Sequence, residues 1–289
     1  MSGFLERQKL TEFFQEVERS SLLFVVVEGD SDRVVYRQWA ERNNLQDAVT
    51  FIPIEEIDVP NSILDRFQLN KGSNRSRVIA LAKLASEEGI ALRCVADRDA
   101  GHDVDQFNLT TLTWTDYPAL ESYALEAQIL TNINETSFGG KLPPGELLLE
   151  RLKNPLSDLY WIRTQIPNMK LPNYTTGMKH AASLDRFSAS KAVSAWRPPS
   201  TEFVSWSQGR DAREYAYGHD ISHLIFAGYA NLFKNNLGIT KHEVIEGYFR
   251  LYLATTITLD TTHLFQCLTQ WVLAASPKRQ ETKNLKEAV

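Results

Sequence analysis

The chain has 289 residues, 43% of them hydrophobic and 23% charged, and a formal net charge of −5. That length is enough for a real core, in one large domain or two smaller ones, and the apolar-to-charged balance excludes a disordered chain. The charge is uneven. Residues 1–150 hold 25 acidic and 14 basic side chains and residues 151–289 hold 11 and 17, a division suited to holding cations in one half and a polyanion in the other.

In chain order, residues 4–19 read as an amphipathic helix, with Phe4, Leu5, Leu10, Phe13, Phe14 and Val17 spaced among charges. The run LLFVVV (22–27) is apolar and β-branched throughout, which fits a strand covered on both faces of a parallel sheet. Asp30 or Ser31 is expected to cap the helix that follows, with Val35 and Trp39 one turn apart on it. A second strand is expected at AVTFIPI (48–54). KGSNRSRVIALAKLASEEG (71–89) reads as a turn, a Ser or Asn cap and a helix ended by Gly89. IALRCVA (90–96) and LTTLTWT (109–115) are the third and fourth strand candidates. Beyond them, GGKLPPG (139–145) is the best hinge candidate, helices are expected at 145–153, 182–194, 219–235 and 241–255, and 164–180 reads as a basic loop. The expected fold class is α/β: a parallel sheet flanked by helices over residues 1–138, then a mainly helical, basic region over 139–289.

No apolar stretch approaches the roughly 20 residues of a membrane span, and the first twenty residues lack the apolar segment of a secretion signal. A cytoplasmic protein without a membrane partner is expected. Cys94 and Cys267 both lie in apolar surroundings and read as buried reduced thiols rather than a disulfide or a zinc site.

The candidate chemistry lies at strand ends. In open parallel sheets, ligands bind outside the carboxyl ends of the strands. Glu28 follows the first strand, and Asp97 and Asp99 follow the third. If the chain stays extended from 97 to 99, the two aspartates point to one side, and neighbouring strands about 4.8 Å apart allow Glu28 to converge with them. Hard oxygen donors with no Cys/His pair nearby suit Mg²⁺, or Mn²⁺, rather than Zn²⁺. Glu28 is then a proton carrier or a metal ligand beside the aspartates. The Lys71–Asn74 turn offers either a helix cap or a phosphate contact. His219 and His223 have metal-compatible spacing but no visible third ligand, so packing is the simpler reading. In the second half Lys170, Lys179, His180, Arg186 and Lys191, with Arg197, Arg210 and Arg213, are interleaved with Tyr174, Phe187, Trp196 and Trp206. Cations among aromatics fit single-stranded or loop RNA, through phosphate contact and base stacking, or else a solvated surface over a small aromatic core.

VVVEGDSDRVVYRQW followed by CVADRDAGHD resembles the Toprim domain, the metal-dependent catalytic module of topoisomerases, primases and several nucleases. The resemblance implies an active site of Glu28, Asp97 and Asp99, with the aspartates binding Mg²⁺ and the glutamate binding metal or acting as general acid/base at a phosphodiester. VEGDSDRVVY, KGSNRSRV, VADRDAGHD and TDYPALESYAL, in that order, are similar to the DUF4435 branch, which adds Glu121 to the metal site. This covers about residues 22–126 and returns at GHDISHLIFAGY (218–229), where the family often has Gly-Lys-Asp and this chain has Gly218-His219-Asp220. Stand-alone chains of this branch and length resemble the effector of the PARIS anti-phage system. That implies an RNA-cleaving toxin acting on host tRNA, held inactive by a partner ABC-type ATPase; a homodimer is compatible with it. A DNA-cleaving Toprim nuclease, a non-catalytic metal-binding or partner-docking module, and nucleotidyl or glycosyl transfer remain alternatives, the last disfavoured because that chemistry has no need of Glu28.

Overall fold

The computed structural model describes residues 7–287 except 103, 167, 168, 180 and 182, with side chains as far as residue 275. The fold is mixed α/β, with parallel sheets flanked by helices. The chain forms two compact units, and neither is one continuous segment. The first holds the chain up to Asp97, then Asp103–Asp116 and everything from Ala254 onward; the second holds Arg98–His102 and Tyr117–Leu253.

In the first unit, β1 (Gln8–Lys9) leads into α1 (Leu10–Arg19), which buries Phe13, Phe14 and Val17. The helix starts later than its apolar spacing suggests because Gln8 and Lys9 pair with a strand; residues 4–6 lie outside the described residues. Next come β2 (Leu23–Val27), α2 (Asp30–Arg42), β3 (Val49–Pro53), β4 (Ile57–Asp58), α3 (Asn61–Arg66), α4 (Asn74–Glu88), β5 (Leu92–Ala96) and β6 (Leu112–Trp114). β4 pairs in parallel with β1. The other strands form one parallel sheet in the order β3-β2-β5-β6.

Each element has a local cause. All five residues of β2 are buried, as a strand with helices on both faces requires. Asp30 is the first helical residue of α2 rather than its cap; the cap is Gly29, with no side-chain bond. α4 does begin on a capping serine, for the Ser73 side chain accepts the Ser76 N–H, and it ends on Gly89 in the left-handed conformation. Alternation along the strands divides the core. Phe24, Val26, Leu92, Cys94 and Ala96 pack with α1, α3 and α4. On the opposite face, Tyr36 stacks on Phe51, and Tyr36 and Trp39 both pack on Phe265.

The second unit is helical: α5 (Ala127–Phe138), α6 (Gly145–Gln165), α7 (Tyr174–Met178), α8 (Ala189–Ala192), α9 (Thr201–Gln208), α10 (Gly218–Gly228), α11 (Ala230–Leu232) and α12 (His242–Thr255), whose last two residues belong to the first unit. α6 continues through Pro155, well past the expected stop at 153, because its apolar residues Leu156, Leu159 and Ile162 are buried beyond it. The expected helix 182–194 breaks into a 3-10 turn and the single turn of α8.

The Gly/Pro-rich break at 139–145 is a pinned corner. The buried Asn134 side chain donates to the carbonyls of Leu142 and Pro143 and accepts the Leu142 N–H at 2.9 Å. A Cβ on Gly145 would lie 1.9 Å from the Ala127 carbonyl oxygen, so only glycine lets α6 approach α5 there. A division at 138/139 therefore falls inside the second unit. The final helix, α13 (His263–Glu287), belongs to the first unit and supplies Phe265 to the α2 face of the sheet. Among the described residues, no helix is long and apolar enough to cross a membrane.

Candidate active site

The order β3-β2-β5-β6 sets the site. The chain leaves β2 for β3 on one side and later returns to β5 on the other, so the carboxyl ends of β2 and β5 form the point where the winding reverses. Glu28 follows β2 and Asp97 follows β5, and both are half-buried. The Asp97 backbone N–H donates to Glu28 Oε1 at 2.8 Å, which orients the carboxylate.

The start of α4 supports the same place. Asn74 Nδ2 donates to the Glu28 carbonyl at 3.0 Å and to Glu55 Oε1 at 2.8 Å. Arg75 Nε donates to the Asp97 carbonyl at 2.6 Å, and its guanidinium lies 4.9 Å over the Trp114 ring of β6. Spacing alone did not single out Arg75, although the polar pair opening α4 was a visible signal. Lys71, expected to contact nucleic acid, is exposed and paired with Asp65 at 2.8 Å.

Tyr36 reports the field behind the site. Burial raises its phenol pKa well above the ordinary value, and the charges of Asp32, Asp97, Glu28 and Asp116 raise it further. Four carboxylates of the first unit thus act on one buried ring. Asp116 is committed to structure, since both its oxygens accept the Leu264 N–H, each at 3.2 Å, at the start of α13. Among the described residues, no group of three or more His, Cys, Asp or Glu side chains is arranged to hold a metal ion. The donors brought together at the strand ends are Glu28 and Asp97, oxygen ligands of the kind Mg²⁺ takes in ones and twos alongside water and phosphate.

Asp99 and Glu121 lie in the second unit. The extension expected through Asp99 does not hold. Its φ is +51°, a left-handed conformation that aspartate tolerates, and Gly101 N–H closes a turn onto the Arg98 carbonyl at 2.9 Å. Asp99 N–H donates to the Pro118 carbonyl at 2.9 Å.

Glu121 is buried and paired with Arg250 at 2.5 Å; Arg250 also pairs with Glu246 at 3.1 Å. A Cβ on Gly218 would lie 2.3 Å from Glu121 Oε2, which explains the glycine of the Gly-His-Asp segment. The exposed His219 bonds Glu246 at 3.2 Å, and that bond raises its pKa. Asp220 is buried under a two-pronged Arg163 contact at 3.0 and 2.7 Å and accepts the Tyr174 hydroxyl. His223 is a packing residue, stacked on Tyr174 and on His242.

The basic candidates separate from their aromatics. Lys170, Lys179, Arg186 and Lys191 are exposed, Arg186 within 3.7 Å of Asp185, and His180 lies outside the described residues. Tyr174 and Phe187 are buried and so belong to the core, whereas Trp206 is half-buried and stacked on Phe203. Of the cysteines, Cys94 is buried, with its thiol pKa pushed up by burial, but Cys267 is half-exposed with Sγ 3.5 Å from His263 Nε2. No family model matches the chain, and no curated protein matches it.

Proposed function

We propose that the chain is a Mg²⁺-dependent Toprim-type nuclease of the DUF4435 kind. In this reading it cuts RNA, in particular host tRNA, as the toxic effector of an anti-phage system, and a partner ABC-type ATPase restrains it. The observation that carries the proposal is the hydrogen bond from Asp97 N–H to Glu28 Oε1, made where the winding of a parallel sheet reverses. A reacting carboxylate needs a fixed orientation, and this bond supplies one.

Glu28 and Asp97 are the first-unit donors for the ion, and the resemblance adds Asp99 and Glu121. When bound, Mg²⁺ activates water and stabilises the leaving oxygen of the phosphodiester. Glu28, oriented by the Asp97 amide, takes the proton of the attacking water. Arg75 holds the Asp97 carbonyl, and through it the end of β5.

The test is cleavage of purified tRNA, messenger RNA and single-stranded DNA by the isolated chain, with Mg²⁺, with chelator and as Glu28→Gln. The reading expects RNA cleavage that requires Mg²⁺ and is absent in the variant. Cleavage unaffected by chelator or by Glu28→Gln overturns it, and cleavage confined to DNA overturns the RNA assignment.

A further inference from the structure

The second unit contains a surface cleft of about 400 Å³ that the proposed reaction does not use. Its wall is a run of stacked rings. Tyr174 lies parallel to His223, with centroids 4.3 Å apart and planes 3° from parallel. His223 in turn lies 3.5 Å from His242 at 21°. Leu171, 63% exposed, and Phe226 add apolar surface.

Lysines adjoin residues of the cleft. Lys234 Nζ sits 5.8 Å over the Phe226 ring, and the exposed Lys170 and Lys241 directly precede Leu171 and His242. Of the nearby acids, Asp220 is matched by Arg163 and the Tyr174 hydroxyl and Glu246 by Arg250 and His219, while the exposed Glu243 lies 3.2 Å from His242. Clefts of this size with apolar walls and a few convergent polar groups bind small ligands.

We propose that this cleft binds a nucleotide, its base against the ring and aliphatic wall and its phosphate among Lys170, Lys241 and His242. The exposed Leu171 and the neighbouring Phe226 offer a base apolar surface, since Tyr174, His223 and His242 are stacked on one another. The imidazole pair suits the phosphate. Two rings in contact do not readily both carry a proton, and His223 is held neutral at pH 7, its pKa pushed down to about 4 by burial and by His242. An arriving anion favours a proton on His223, so binding is tighter at lower pH. The nucleotide is either free or one unit of a strand. The site involves neither metal nor cleavage, so it stands or falls apart from the nuclease reading.

The experiment is calorimetry on the full chain without divalent ions, titrated with AMP, adenosine, inorganic phosphate, the dinucleotide ApA and a five-residue oligoadenylate. ApA serves for the pH series because its phosphodiester keeps one charge, unlike a terminal phosphate with a pKa near 6. AMP is expected to bind about tenfold more tightly than adenosine or phosphate alone. ApA is expected to bind about fivefold more tightly at pH 6 than at pH 8, with proton uptake. An oligoadenylate much tighter than AMP assigns the site to a strand; one no tighter assigns it to a free nucleotide. His223→Phe, which keeps a ring against Tyr174 and cannot be protonated, should abolish the pH dependence and Lys170→Glu should weaken every phosphorylated ligand, thermal melts checking that both variants are folded. Absence of binding by AMP, ApA and the oligomer at millimolar concentration overturns the proposal, as does binding unchanged in both variants.

Discussion

The Asp97 backbone N–H donates to Glu28 Oε1 across 2.8 Å, so the residue after β5 holds the side chain after β2. Only the parallel order, with β2 and β5 adjacent, brings these two strand ends together. Glu28→Gln keeps an acceptor for the amide and removes the charge. It should leave urea stability within about 1 kcal/mol of wild type and, on the nuclease proposal, eliminate cleavage. Glu28→Ala removes the acceptor as well and should cost about 1–2 kcal/mol. A Gln variant that unfolds, or one that still cleaves, contradicts this account of Glu28.

Arg75 ties two strand ends at once, through its Nε bond to the Asp97 carbonyl and its position over Trp114. Arg75→Lys keeps a cation for the ring but not the planar donor. On the nuclease proposal, cleavage should fall roughly tenfold in Arg75→Lys and further in Arg75→Ala, with about 1–2 kcal/mol of stability lost in the latter. Because Arg75 acts through Asp97, the Mg²⁺ concentration for half-maximal activity should also rise. A change in stability with no shift in metal dependence would make it a structural residue only.

Asp116 caps a helix far along the chain, both its oxygens accepting the N–H of Leu264, 148 residues later. Asp116→Ala should cost about 1 kcal/mol, and Asp116→Asn distinctly less, since asparagine caps almost as well. Thermal melts of both variants decide the matter; equal losses would mean that the charge beside Tyr36, rather than the cap, is what counts.

The two cases show what was legible. LLFVVV read as a doubly covered strand because all its side chains are apolar, and the strand-end acids followed from it. The cap at Asp116 is not legible in the sequence, because which helix a side chain reaches is long-range information. The same holds for α13: Leu264, Phe265, Leu268 and Val272 are buried, but no periodicity names the sheet they cover. The extended backbone expected through Asp99 ends for a local reason, one positive φ at Asp99 that no alternation in the sequence signals. β4 and α3 are too short for any period to show.

Gly145 is an unusual helix-start glycine, because the space a side chain would need is already filled by α5. A Cβ there would lie 1.9 Å from the Ala127 carbonyl oxygen and 2.5 Å from Thr131 Oγ1. Alanine is the better helix former by about 1 kcal/mol, yet Gly145→Ala should destabilise by about 2 kcal/mol or more, because backbone must move to admit the methyl. A melting temperature at or above wild type would mean that the corner is loose rather than pinned.

The stacked imidazoles give the stability of the unliganded chain an acidic limb. His223 has a pKa pushed down to about 4, by burial first and then by the His242 ring, against an ordinary value of 6.5. Asp220 and Glu243 pull it the other way and His219 adds to the depression, but burial and His242 prevail. With the folded pKa lower than the unfolded one, the unfolded chain binds the proton more readily. Stability is therefore undiminished above pH 6.5 and declines as the pH falls from 6.5 towards 4. Discounted for a ring that solvent partly reaches, the loss is about 1 kcal/mol. His223→Phe keeps a ring against Tyr174 and cannot be protonated, so its urea midpoint should fall less between pH 7 and pH 5 than that of wild type. Parallel declines in the two proteins would place the acid sensitivity in the carboxylates instead.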